Sequence, residues 1–228
     1  ARAEGVLKVG RKDLSAAIAE GRDGGTTVSA TIHCAAAAGI NIFATGGIGG
    51  VHRGGEKSFD ISADLSALGR TAITTVCSGA KSILDLAKTL EVLESQNVLV
   101  IGFGTDSFPA FYARESGLKL EHRVDTPQQA AEILRAQHAL AMESAILIVN
   151  PIDEEFAIDW HDLKIWTEQA EVEAATEGVS GKALTPFLLS RIGALSQGRT
   201  LAANQALAVG NAELAAQIAV ALAATGIE

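Results

Sequence analysis

A chain of 228 residues, 48% of them hydrophobic, is long enough to bury a sizeable core. Its formal net charge of −9 argues against a nucleic-acid partner gripped through a broad basic surface, but leaves room for a small anionic ligand held by a few local donors. No apolar run reaches the length of a bilayer span and no signal peptide is visible, so a soluble cytoplasmic protein without membrane association is expected.

In chain order, the first clear pattern is a small-residue helix over Thr27–Gly39 ("TVSATIHCAAAAG"), with Gly39 suited to its stop. Strands follow at Asn41–Thr45 and Ala72–Cys77. Lys81–Gln96 reads as a helix that puts Ile83, Leu86, Leu90 and Leu93 on one face. Another strand spans Asn97–Gly102. Thr126 is an N-cap before Pro127, which opens a helix reaching Glu143. Ala145–Asn150 is a further strand. Nearly continuous apolar strands alternating with helices predict an α/β fold, a layered and largely parallel sheet flanked by helices. After Pro151 the pattern turns helical, and "TPF" at Thr185–Phe187 repeats the cap-then-proline signature. No linker or repeat interrupts the chain, so residues 1–228 are expected to form one domain. Cys34 and Cys77, without disulfide or zinc spacing, read as buried thiols.

Ligands of parallel sheets bind outside the carboxyl ends of the strands, and the loops there carry the informative residues. "FATGGIGGVHRGG" (Phe43–Gly55) packs six glycines beside His52 and Arg53. It matches neither a P-loop nor a dinucleotide fingerprint, and stays open between an anion cradle and a sharp turn. In "FDISADL", Asp60, Ser62 and Asp64 alternate. Extended backbone would set them on one face for a hard cation; the simpler reading makes Ser62 or Asp64 a helix cap. In "VCSGAKSIL", Lys81 falls at the expected start of a helix, where the helix dipole favours the neutral, nucleophilic amine. An anion-holding or exposed lysine is the alternative. Gly102–Gly117, with Asp106, Tyr112 and Arg114, shapes either a pocket or an interface.

These segments, with "NPIDEEFAI", "SGKALTPFLLSRI" and "AANQALAVGNAELAAQIA", resemble in this order the pseudouridine-5′-phosphate glycosidase family, which extends to indigoidine-cluster proteins. The resemblance covers essentially the whole chain. It implies a lyase that reversibly cleaves the carbon–carbon glycosidic bond of pseudouridine 5′-phosphate to uracil and ribose 5-phosphate. It also implies Mn2+ as cofactor and a homotrimer. By motif, Lys81 is the nucleophile and Asp60 the metal ligand. Lys8, Val28, Ser62, Ala63 and Asp64 are substrate-binding, Asn204 contacts the base, and His52 lies near the sugar or base.

Two departures bear on activity. The family's general acid/base is a glutamate in an N-terminal Glu-Ser-Thr segment, and the Glu-Ser pairs at Glu94, Glu115 and Glu143 stand in other contexts. The chain is therefore expected to start partway into the family domain. Gly210 also stands where the family usually carries a second asparagine. Two alternatives stay beside the glycosidase: an aldolase-like Schiff-base enzyme acting on another sugar phosphate, and an inactive relative serving as a binding or scaffold subunit.

Overall fold

The computed structural model describes residues 5–224. The chain runs β1 (Leu7–Val9), α1 (Leu14–Ala19), β2 (Gly24–Thr26), α2 (Val28–Ala37), β3 (Ile42–Ala44), β4 (Val51–His52), α3 (Gly55–Ser58), α4 (Ala63–Leu68) and β5 (Thr74–Cys77). It continues through β6 (Leu84–Asp85), α5 (Leu86–Ser95), β7 (Leu99–Phe103), β8 (His122–Val124), α6 (Pro127–Ala139), β9 (Ile146–Val149), α7 (Trp160–Thr176), α8 (Leu184–Leu195) and α9 (Arg199–Ala223).

Five strands form one wholly parallel sheet in the order β3-β5-β9-β7-β8. β9 is the last strand in sequence but lies at the centre of the sheet, between β5 and β7. Its four residues are buried, and their alternation feeds both faces. Ile146 and Ile148 join a core with Leu214 and Ile218 of α9 and Leu134 of α6. Leu147 and Val149 join a larger core with Ile32 of α2, Leu65 of α4, Leu93 of α5 and Leu163 of α7. This is why the strand reads as an unbroken apolar run. Outside this sheet, β1 pairs with β2 in parallel, and β4 with β6 antiparallel.

The α/β prediction agrees with this architecture, and several local expectations are corrected. The helix expected from Lys81 begins only at Leu86, capped by Asp85, whose carboxylate accepts from the Lys88 amide at 3.1 Å. Residues 84–85 are drawn instead into a strand pair. Thr185 does not cap α8, which starts at Leu184, two residues earlier than that cap would place it, with Ala183 as N-cap. Cys34 is exposed on α2, while Cys77 is buried and its thiol pushed up to about 12 by desolvation. Thr126, by contrast, caps α6 as expected and forms a reciprocal capping box with Gln129.

Against the expectation that no apolar run reaches a bilayer span, α9 is long and apolar enough to cross a membrane by length and composition. Its residues Ala203, Leu207, Leu214, Ile218 and Ala221, spaced at helical intervals, are instead buried against β3, β5, α6 and α8. It is a core helix.

Gly79 tests the tightness of this frame. Its φ is +76°, and a β-carbon there would lie 2.1 Å from the Pro109 carbonyl oxygen. Gly79→Ala is expected to destabilise the fold by about 2–3 kcal/mol, whereas Gly178→Ala, which meets strain but no neighbour, should lose about 1 kcal/mol. Urea midpoints compare the two.

Candidate active site

A cavity of about 740 Å3 opens beyond the carboxyl ends of β3 and β5. Lys8, Val28, His52, Asp60, Ser62, Ala63, Asp64, Lys81 and Asn204 all line it. A larger cavity of about 1210 Å3 lies at the amino ends of β3, β5 and β9 and contains none of these residues. Chemistry therefore points to the smaller one.

The glycine-rich loop forms one wall, but not through unusual dihedrals: Gly46, Gly47, Gly49 and Gly50 all have φ outside the left-handed region. What they need is close approach. A β-carbon on Gly49 would meet the Ser62 hydroxyl oxygen at 2.3 Å, and one on Gly47 would strike the Phe111 ring at 2.5 Å. The loop is also stitched to the turn that carries Lys81. Ile48 N–H donates to the Gly79 carbonyl at 3.1 Å, and Lys81 N–H donates to the Ile48 carbonyl at 3.2 Å. Arg53 takes no part; it turns away and pairs with Glu171 on α7 at 3.4 Å.

Lys81 is not on a helix, so the expected dipole effect is absent. Its pKa is nonetheless lowered, chiefly by burial; the Asp64 carboxylate opposes this and the Lys8 ammonium adds to it. Neutral amine is thus available at lower pH than for a free lysine.

The alternation Asp60-Ser62-Asp64 is split between two roles. Ser62 is the N-cap of α4, its hydroxyl accepting from Asp64 N–H at 3.2 Å. The Asp64 side chain, 5% exposed, accepts from Ser29 N–H at 2.8 Å and Gly49 N–H at 2.9 Å. Thr27, the N-cap of α2, makes no capping bond of its own. Asp64 thus caps α2 from another part of the chain and pins it to the glycine loop. Asp60 remains facing the cavity. Among the described residues no cluster of three or more His, Cys, Asp or Glu side chains forms a metal cage. One carboxylate can still hold a hard divalent ion that keeps most of its waters.

His52 stands between these groups. Its amide donates to the Asp60 carbonyl at 3.0 Å, and its Nε2 lies 3.4 Å from the Thr185 hydroxyl. Burial lowers its pKa, Asp60 opposes, and Lys8 and Lys81 add to the lowering, which favours the neutral imidazole. Tyr112 lines the same space as a neutral phenol, pushed up to about 12 by burial.

Around the start of α2, the cavity gathers Lys8, Lys12, Thr26, Thr27 and the Val28 backbone. Val28 buries its side chain in the core. A ten-residue helix whose amino end meets two lysines and two threonine hydroxyls can hold an anion. Lys12 and Thr26 escaped the sequence reading, and Thr27 and Thr185 entered it only as helix-start residues. Lone polar residues in "GRKDL", "GGTT" and "LTPF" carry no signal until folding brings them together.

The chain is similar to proteins of known family. Residues 1–221 match the family described as Indigoidine synthase A like protein. The pseudouridine-5′-phosphate glycosidase of Paracoccus denitrificans (strain Pd 1222) is 55% identical over 221 residues, covering 97% of this chain and 73% of that protein. The pseudouridine-5′-phosphate glycosidase of Caldanaerobacter subterraneus subsp. tengcongensis is 52% identical over 217 residues, covering 95% and 71%. Among solved structures, the prealnumycin C-glycosynthase AlnA in complex with ribulose 5-phosphate superposes with a TM-score of 0.91 at 37% identity, covering 97% of this chain and 73% of that one. An indigoidine synthase A-like protein from Thermotoga maritima gives 0.89 at 38%, covering 96% and 72%.

Asp64→Asn keeps the shape of the side chain but turns an NH2 donor toward a backbone donor. It should cost about 1–3 kcal/mol in urea denaturation, against about 1 kcal/mol for Ser62→Ala, which loses only a cap.

Proposed function

Since the chain belongs to the indigoidine synthase A like family, we propose that it cleaves, reversibly, the carbon–carbon glycosidic bond of pseudouridine 5′-phosphate, yielding uracil and ribose 5-phosphate. The observation that carries this reading is Lys81. Its amine is held by burial toward the neutral form in a cavity that also contains an anion-holding helix terminus. The names of relatives at 55% and 52% identity support it.

The 5′-phosphate sits at the start of α2, against the Val28 N–H, the Thr26 and Thr27 hydroxyls, Lys8 and Lys12. This places C1′ toward Lys81. Its Nζ attacks C1′, the C1′–O4′ electrons leave with the ring oxygen, and that oxygen takes a proton. The nitrogen lone pair then forms an iminium as the C1′–C5 electrons pass to uracil, where C5 gains a proton. Water adds to the iminium and releases ribose 5-phosphate and the free amine. A carbon leaving group needs this covalent route, because protonating a ring oxygen or nitrogen alone does not make it depart. His52 lines the same cavity, and its imidazole is able to accept a proton from the incoming amine.

The uracil lies between the Phe111 and Tyr112 side and Asn204. Ser62 and Ala63, at the start of α4, face the sugar, while Asp64 acts on the protein's own amides. Asp60 would hold Mn2+, and such an ion would supply positive charge that orients the substrate. The same reading includes a cytoplasmic homotrimer, which light scattering of the purified protein checks.

Lys81→Ala is expected to abolish uracil release while ribose 5-phosphate still binds. Borohydride with ribose 5-phosphate should leave a mass adduct on Lys81 of the unaltered protein. A chain that releases uracil without Lys81 would overturn the nucleophile assignment. A trapped adduct without uracil release would favour an aldolase-like enzyme. The rate of adduct formation should rise with pH and level off below the free-lysine value of 10.5, since burial lowers the Lys81 pKa. For the metal, Asp60→Asn should weaken Mn2+ binding in calorimetry about tenfold or more.

A further inference from the structure

Halfway along α9, in "VGNAEL", an asparagine stands among small and apolar residues. Asn211 is fully buried. Its Nδ2 donates to the Thr45 carbonyl at 2.9 Å and reaches the Gly46 carbonyl at 3.4 Å. The Ser78 hydroxyl lies 3.1 Å from Nδ2 and 3.3 Å from Oδ1. Oδ1 also accepts from Asn150 Nδ2 at 3.1 Å. Thr45, Ser78 and Asn150 directly follow β3, β5 and β9. One side chain therefore bonds to the carboxyl ends of three adjacent strands, and a buried amide with its donors and acceptor all engaged holds a single geometry.

From there the path to the nucleophile is short. Ser78 N–H donates to the Gly46 carbonyl at 2.9 Å, Ile48 N–H to the Gly79 carbonyl at 3.1 Å, and Lys81 N–H to the Ile48 carbonyl at 3.2 Å. The loop after β3 and the turn after β5 thus move together, and Asn211 grips both. None of its bonds goes to α2 or α4, which carry Val28, Ser62 and Asp64.

We propose that Asn211 is a positioning residue for Lys81: by clamping the ends of β3, β5 and β9 to α9 it sets where the Lys81 amine stands in the cavity, without touching the substrate. This deepens the function proposed above and rests on it for the identity of the reaction.

Asn211→Asp preserves size and the acceptor for Asn150, but faces the Thr45 carbonyl with an oxygen. It should lower kcat for uracil release about 10²-fold, the scale of a misplaced reacting group, while ribose 5-phosphate binding stays within about twofold because the α2 terminus is untouched. Ser78→Ala, a smaller change, should move kcat in the same direction by less, and carries the test if Asn211→Asp does not fold. A folded variant with unaltered kcat overturns the proposal. So does a parallel loss of kcat and binding that follows only the folded fraction. A second readout does not use the reaction. Acetic anhydride labelling of Lys81, measured against the exposed Lys119 by mass spectrometry, should change in Asn211→Asp; unchanged labelling overturns the proposal. If the unaltered protein releases no uracil, the glycosidase reading fails, and this labelling ratio still decides the role of Asn211.

Discussion

The Asp64 carboxylate takes one proton donor from the start of α2 and one from the glycine-rich loop, at 2.8 and 2.9 Å. Both bonds are charge-assisted and buried, so each is worth more than an exposed equivalent and expensive to leave unmade. Their effect is geometric as well as energetic. They fix the distance between the helix terminus, where an anion can sit, and the loop that is hydrogen-bonded to the Lys81 turn. On the proposed reading, the spacing between those two elements matches the distance from a sugar phosphate's anion to its reacting carbon. In this chain a side chain that lines the cavity also holds that spacing.

The glycines follow from the same constraint. The loop after β3 must pass between Ser62 and Asp64 on one side and Phe111 on the other, and side chains at Gly47 or Gly49 would prevent it. Close passage brings the Gly49 amide to Asp64 and the Ile48 carbonyl to the Lys81 N–H, in a turn where Lys81 is largely buried. Desolvation then does what a helix dipole was expected to do. The direction of the effect on the amine is the same, but its source is burial, which a local reading of "SGAKS" could not reveal.

Much of the architecture was readable along the chain. The strands ending at Ala44, Cys77 and Val149 declare themselves by apolar continuity, and Thr126-Pro127 by its capping chemistry, because these signals depend on neighbours in sequence. Their order in the sheet did not, since β9, last in sequence, pairs between β5 and β7 through contacts between residues far apart along the chain. The short pairs β1–β2 and β4–β6 were missed because two- and three-residue strands carry no period. Cys34 was misread because a small-residue helix lacks a distinct apolar face, and its outward side looks like its inward one.

By itself the sequence determined the fold class, the family resemblance and the set of residues at the carboxyl ends of the strands, all of which are local patterns of residue type. Tertiary structure alone decided what each group is free to do. It engaged Asp64 with amides 35 and 15 residues away and left Asp60 facing the cavity. It brought Thr185 to His52 across 133 residues and Asn211 to Thr45 across 166. Hydrogen bonds and desolvation depend on distance in space, and the chain records only distance along itself.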